Sequence, residues 1–407
     1  MKVCTYADVV AAQDRIRGHV YRSPCVPSDI LSRLCGAQVW SKLDHLQATG
    51  SFKERGARNR LASLSAEERQ RGVIAVSAGN HALGLARHGS ELGIAVQVVM
   101  PHYAPMVKVA RCRELGAEVI LHRSDFSAAQ AHAHTVAKSS GAVFIPAFDH
   151  PQIIAGQGTI GLEILADVPH CAAIFVPVGG GGLAAGLALA VKQQRPDCKI
   201  IGVEPEHAAS MYHALRHGGP CSVPTAPTLA DGLAVAQVGR HCFDICQQLL
   251  DDVVLVDESS IAQAIVRLLE HEKTLLEGAG AAALAGALSA NVLKRHDLLG
   301  KTIVLVLCGG NIDVNILNRV VQRGLAADGR ICRVVCSLKD RPGVMAQLLA
   351  IIADAEGNVQ EINHDRTFGP RDPALVTASL SIETRDHQHI TAIHHALTAA
   401  DIDWREG

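Results

Sequence analysis

From Gly72 onward the chain alternates short, almost wholly apolar, β-branched runs with helical patterns, and few folds accommodate that rhythm. "VIAVSAG" leads into a helix from Asn80, "AVQVVMP" into one near Met106 and "AEVILH" into one near Ser127. The alternation resumes in "AAIFVPVGGGG", "KIIGVEPE", "DDVVLVDE" and "TIVLVLCGG", each followed by an amphipathic stretch. A strand with one wet face alternates apolar and polar residues, whereas a strand apolar throughout is covered on both faces. Intervening helices supply that cover, so the pattern predicts an α/β fold built on parallel sheet. With 407 residues there is enough chain for two or three domains and at least one large core.

Ligands of such sheets sit at the carboxyl ends of the strands. Those ends carry "SAGNHA" (Ser77 to Ala82), the run Gly179 to Gly182, and "CGGN" (Cys308 to Asn311). Three polar and glycine clusters on one rim suggest one site with several walls. Pro220, Pro224 and Pro227 mark a long surface loop between Gly218 and Asp231. After Arg330 the pattern changes to βαββα, with a Pro342-Gly343 turn and a final short strand near Ile402.

The formal net charge of -2 gives no electrostatic reason to expect nucleic acid or an anionic membrane as partner. The N-terminal stretch, with Asp8, Asp14, Arg15 and Arg17, reads as an amphipathic helix, not a signal peptide. No apolar run reaches the ~18 residues that span a bilayer, so a soluble, cytoplasmic protein is expected. Twelve cysteines without a C-x-x-C pair fit small buried residues in a reducing compartment. The His pairs in "AHAHTV" and "HQHI" read as polar helix faces, and no metal site is expected.

Each candidate residue has a plain structural reading beside a chemical one. Lys53, in "TGSFKERGA", could open a helix capped by Ser51. "FVPVGGGGLAAGLALA" is strand, glycine turn and helix, an arrangement whose converging amides suit an anion. It also fits a dinucleotide template through Gly180, Gly182 and Ala185, with Glu204 where a ribose-binding acid would stand. The amides of "SAGNHA", with Ser77 and Asn80, suit a carboxylate, although Asn80 or Ser77 could cap a helix and His81 reads as structural. Cys308 alone reads as a core cysteine, and Glu277 as a helix cap.

Taken in order, "TGSFKERGA", "SAGNHA", "GGGGL" and "CGGNID" resemble the pyridoxal-phosphate enzymes of the tryptophan-synthase-β group, fold type II. The closest likeness is to the threonine dehydratase (threonine ammonia-lyase) branch, which includes serine racemase-like enzymes. The resemblance implies a catalytic domain at 1-328 in two lobes, the smaller at about 51-151, with pyridoxal 5'-phosphate between them. It implies that Lys53 bonds covalently to the cofactor and acts as catalytic base. Phe52 would pack beside the cofactor, Asn80 would bond its ring hydroxyl, and Gly179, Gly180, Gly181, Gly182 and Leu183 would hold its phosphate. Cys308 would face the pyridine nitrogen, and Glu277 would join the cofactor site. Ser77, Ala78, Gly79, Asn80 and His81 would hold the substrate, a 3-hydroxy amino acid, with L-threonine first and L-serine second. Residues 329-407, through "KDRPGVMAQLLAII", resemble the ACT domain, a ferredoxin-like module. That likeness implies a branched-chain amino-acid effector, and the family likeness a homo-oligomer, dimer or tetramer.

Some positions depart from the group's pattern. Asp44 stands where glutamate is usual, Ser23-Pro24 replaces Thr-Pro, and Leu83 replaces a frequent glutamine. Ser210 takes the place of an aspartate that, with the counterpart of Glu204, holds a divalent cation in some relatives. Ala78 replaces the serine of racemase-like members. Other hydroxy amino acids (3-hydroxyaspartate, phenylserine) and racemisation stay open at this level, as do a nicotinamide oxidoreductase and a non-catalytic amino-acid sensor.

Overall fold

The computed structural model describes residues 4–122, 126–367, 372 and 374–407. They fall into two compact units, Met1–Asp313 and Val314–Gly407.

The first unit opens with helix Tyr6–Ile16, whose N-terminus is closed by Thr5 and Asp8 bonding to each other's backbone amides. Strands β1 (Cys25–Ser28) and β2 (Gln38–Lys42) follow. A smaller lobe contains β3 (Val73–Val76), β4 (Val96–Pro101), β5 (Glu118–His122) and β6 (Val143–Phe144). Then come β7 (Ala173–Pro177), β8 (Lys199–Pro205), β9 (Asp252–Val256) and β10 (Thr302–Val306). β3 to β5 and β7 to β10 are the apolar runs read in the sequence, and every pairing among them is parallel. β1, which pairs antiparallel with β2, and the two-residue β6 lack that signature.

The small sheet has the order β5-β4-β3-β6, and the larger one β1-β2-β10-β7-β8-β9. In each, the chain winds outward to one side and returns to the other. The reversal falls beside β3 in the first sheet and between β7 and β10 in the second. Loops at a reversal diverge and leave a crevice at the strand ends. All three glycine clusters follow these strands. The helix Pro151–Asp167 lies against Gly182–Gln194 so closely that a Cβ on Gly186 would stand 2.1 Å from the Ile154 carbonyl oxygen. Their contact seats the second helix behind the glycine loop.

The second unit begins with helix Val314–Ala327, which groups with the strands that follow it. β11 (Ile331–Lys339), helix Val344–Asp354, β12 (Asn358–Asp365), β13 (Leu375–Glu383), helix His387–Ala399 and β14 (Asp403–Glu406) reproduce βαββα with a closing strand. The sheet is antiparallel, in the order β12-β13-β11-β14. Alternate residues of β13, namely Val376, Ala378, Leu380 and Ile382, are buried against Leu348, Ile352, Ile393 and Leu397. One face is therefore covered by helices, as the period of two requires.

Candidate active site

Lys53 is the first residue of helix Lys53–Ala62. Ser51, read as a potential cap, forms no capping bond; instead it makes an isolated bridge to Gly309. Phe52 donates its amide to the Cys308 carbonyl at 3.0 Å, and Gly310 donates to Gly50 at 2.9 Å. These contacts pin the approach to Lys53 against the end of β10. The Nζ donates to the Ala147 carbonyl at 3.0 Å and lies 5.2 Å from the centre of the Phe52 ring. Burial brings the ammonium down to about 8 from its ordinary 10.5, while Cys308, Cys242 and Glu277 nearby resist that shift. At pH 7 about a tenth of this amine is thus neutral and nucleophilic, far more than of a lysine at its ordinary value.

The glycine loop joins β7 to helix Gly182–Gln194. Gly181 has φ +93°, and a Cβ there would lie 2.8 Å from Cys242 Cβ and 2.9 Å from Met211 Cε. A Cβ on Gly180 would meet the Phe148 ring at 2.4 Å. No side chain caps the helix, in which Leu183 is buried in the first turn. Gly239 donates to the Gly180 carbonyl at 3.2 Å. Asp149 accepts from the amides of Arg240 at 3.0 Å and Cys242 at 3.1 Å, fixing the neighbouring helix Arg240–Leu249.

Asn80 starts helix Asn80–Leu92, after the segment Ser77–Ala78–Gly79. Its side-chain amide donates to Glu277 Oε1 at 2.7 Å, and its carbonyl oxygen accepts from Asn311 at 2.8 Å. Asn80 therefore faces across the crevice instead of capping its own helix. Glu277 occupies the N-cap position of helix Gly278–Ala287 but makes no capping bond. Burial first, then the charge of Asp231, raises its carboxyl to about 7. A Cβ on Gly309 would sit 2.2 Å from Glu277 Oε1, so a side chain there would have to displace that carboxyl from Asn80.

Ser77 Oγ accepts from the Gly79 amide at 3.1 Å, and Ala78 packs on the small-lobe core. His81 is buried, with Nε2 3.3 Å from the Ile145 carbonyl. Burial and the nearby Lys53 lower its imidazole to about 3, so it stays neutral. Cys308 is buried, and desolvation pushes its thiol well up. Glu204 accepts from the Met211 and Tyr212 amides, each at 2.8 Å, so both its oxygens serve a helix start. Among the described residues no cluster of three or more His, Cys, Asp or Glu side chains is placed to hold a metal.

The wall behind Lys53 is a buried charge network. Arg55 donates to both oxygens of Asp44 at 2.9 and 2.7 Å and to both oxygens of Glu163 at 2.7 and 2.9 Å. Lys42 adds a 2.6 Å bond to Glu163. The sequence assigns no role to Glu163 or Arg55, because charged residues in helical stretches ordinarily face water. Asp149 likewise carries no local signal, and Asn311, although it closes the "CGGN" cluster, gets no partner from it, because the partners of both are far away in the chain.

The model of the family described as "Pyridoxal-phosphate dependent enzyme" matches residues 16–309. This chain belongs to the pyridoxal-phosphate-dependent enzymes. A Thermotoga maritima protein named L-threonine ammonia-lyase is 42% identical over 98% of this chain and 99% of its own length. The processed form of threonine deaminase isoform 2 from Solanum lycopersicum superposes with TM-score 0.74 at 40% identity, covering 78% of this chain and 92% of that one. Maize serine racemase superposes with TM-score 0.75 at 31% identity, covering 80% and 99%. The family match sets aside the dinucleotide reading of Gly180, Gly182 and Ala185.

The residues present suit the family's cofactor. An amine held partly neutral, uncapped amides at a glycine-rich helix start, and the buried Ser51 Oγ without a protein partner match an aldehyde, a phosphate and further polar edges.

Proposed function

We propose that the protein is a threonine ammonia-lyase, converting L-threonine to 2-oxobutanoate and ammonia, with L-serine as a slower substrate. The observation that carries this reading is the meeting of Lys53 Nζ, Cys308 and Glu277 at the end of β10, on a chain similar along almost its whole length to a protein of that name. Lys53 would anchor the cofactor, and the amides of Gly179 to Leu183 would hold its phosphate. Asn80, set by Glu277 and Asn311, would meet the ring hydroxyl. Phe52 and Cys308 would line the ring, with Cys308 toward its nitrogen. When bound, pyridoxal phosphate supplies an electron sink for the charge that develops at the substrate Cα.

The substrate carboxylate would rest on the amides of Ser77 to Asn80 beside His81. Lys53 Nζ, freed once the substrate amine takes its place, would remove the Cα proton. Loss of the β-hydroxyl and hydrolysis would complete the reaction. Measuring oxo-acid release across a panel of hydroxy amino acids tests the assignment. Threonine should lead, and preference for 3-hydroxyaspartate or phenylserine would overturn it.

In the second unit a cavity of about 420 Å³ is lined by Asp340, Arg341, Gly343, Met345, His364 and Arg366. Asp340 pairs with Arg366 at 3.0 Å. Carboxylate and guanidinium beside an apolar wall offer complementary groups for a zwitterion, which supports this ACT-like unit as the site of a branched-chain amino-acid effector.

A further inference from the structure

Cys171 and Cys198 lie with their sulfurs 3.6 Å apart. They precede β7 and β8, at the ends of those strands opposite the glycine loop. Both side chains are 0% exposed. Each nevertheless sits one residue inward from an exposed turn, Pro169-His170 in one case and Pro196-Asp197 in the other. Arg195 straps the two turns together. One end of its guanidinium bonds the Pro169 carbonyl, while Nε and Nη2 reach Asp197 at 2.9 and 2.6 Å. Nothing in the proposed chemistry uses these thiols.

We infer that Cys171 and Cys198 form a peroxide-sensitive dithiol that closes to an intramolecular disulfide. Bringing the sulfurs from 3.6 Å to bonding distance requires an approach of about 1.5 Å, which side-chain rotation and two surface turns can absorb. The bond from Cys198, with the Arg195 guanidinium behind it, favours the thiolate at Cys171, while that bond and burial hold Cys198 as the thiol. One thiolate attacks an oxygen of hydrogen peroxide, the O–O bond breaks, and hydroxide leaves and takes up a proton. The resulting sulfenic acid is attacked by the second sulfur, which loses its proton as the S–OH oxygen departs as water. Two thiols and one peroxide give one disulfide and two waters. Because both sulfurs are covered, opening of the turns gates the first step. Cys25, partly buried and within electrostatic reach of Cys171, is the competing partner.

The bond would link residues 27 apart in sequence and restrict the unfolded chain. It lies away from Lys53, so basal turnover should be unchanged while Tm rises by about 5 °C. The test treats the native holoenzyme with hydrogen peroxide, alkylates the remaining thiols and maps peptides without reduction. A Cys171–Cys198 linked peptide, lost on dithiothreitol treatment, is expected. It should be missing from Cys198→Ser, or from Cys198→Ala if the serine variant does not fold. A dominant Cys25–Cys171 link would overturn the pairing. Oxidation elsewhere while both thiols stay reduced would overturn the site, and an unchanged Tm after full bridging would overturn its effect on the fold.

Discussion

Ser23 Oγ donates a 2.6 Å hydrogen bond to Asp44 Oδ1, and both side chains are fully buried. Ser23 and Asp44, 21 residues apart in sequence, are thus brought into direct contact. Asp44 sits between Ser23 and the guanidinium of Arg55, whose helix begins at Lys53.

Removing the carboxylate by Asp44→Ala is expected to destabilise the protein by about 3–5 kcal/mol, because Arg55 loses one of its two buried carboxylate partners. Burial raises the Asp44 carboxyl, but the charge and bonds of Arg55 outweigh it and hold the group below its ordinary value. Its stabilisation is therefore present above the ordinary carboxylate pKa and lost as pH falls below it. Urea unfolding at neutral and acid pH checks both: the gap between variant and parent should shrink in acid.

Lys53 should govern cofactor uptake. Since burial brings its ammonium to about 8, the rate at which apoenzyme takes up pyridoxal phosphate should rise with pH and level off above about 8. An ordinary lysine would continue to gain to 10.5. Stopped-flow absorbance reads the profile. Lys53→Ala should lose covalent uptake and lower turnover by several orders of magnitude, and borohydride reduction of the parent should place the pyridoxyl adduct on Lys53.

Cys308 is expected to favour elimination over reprotonation. Its thiol, pushed up by burial, is neutral and would support a protonated pyridine nitrogen poorly. Cys308→Ser should keep most dehydration activity, whereas Cys308→Asp should lose roughly tenfold or more by holding that nitrogen protonated. Oxo-acid assays at matched cofactor occupancy decide; equal rates in the two variants would show that this residue does not set the chemistry.

Ala78 presents a methyl group, which cannot transfer a proton, so any D-amino acid should be minor beside the oxo acid. Ala78→Ser should raise D-product formation from L-serine. Chiral chromatography after partial turnover reads the ratio, and comparable rates of both products in the parent would favour the racemase reading.

The second unit should bind isoleucine or valine in the Asp340–Arg366 cavity and shift activity through a coupling of about 1–3 kcal/mol. Calorimetry on the full chain should show binding that Asp340→Ala weakens at least tenfold, equivalent to about 1.4 kcal/mol. An unchanged response to both amino acids in that variant would rule the cavity out as the effector site.

Local sequence determined the parallel strands, their glycine-rich exits and the βαββα order of the second unit. Apolar periodicity and turn residues report on a neighbourhood of a few positions. Lys53, the glycine loop and Asn80 stand out as candidates for the same reason, each lying in a short ordered motif. Only the tertiary structure decided that Asn80 bonds Glu277, 197 residues away, instead of capping its helix, and that Ser51 meets Gly309. It likewise decided that Arg55, Asp44 and Glu163 turn inward as a compensated network. Whether a charge faces water or a partner depends on what the fold brings opposite it, and that pairing is fixed by long-range packing, not by the residues beside it in the chain.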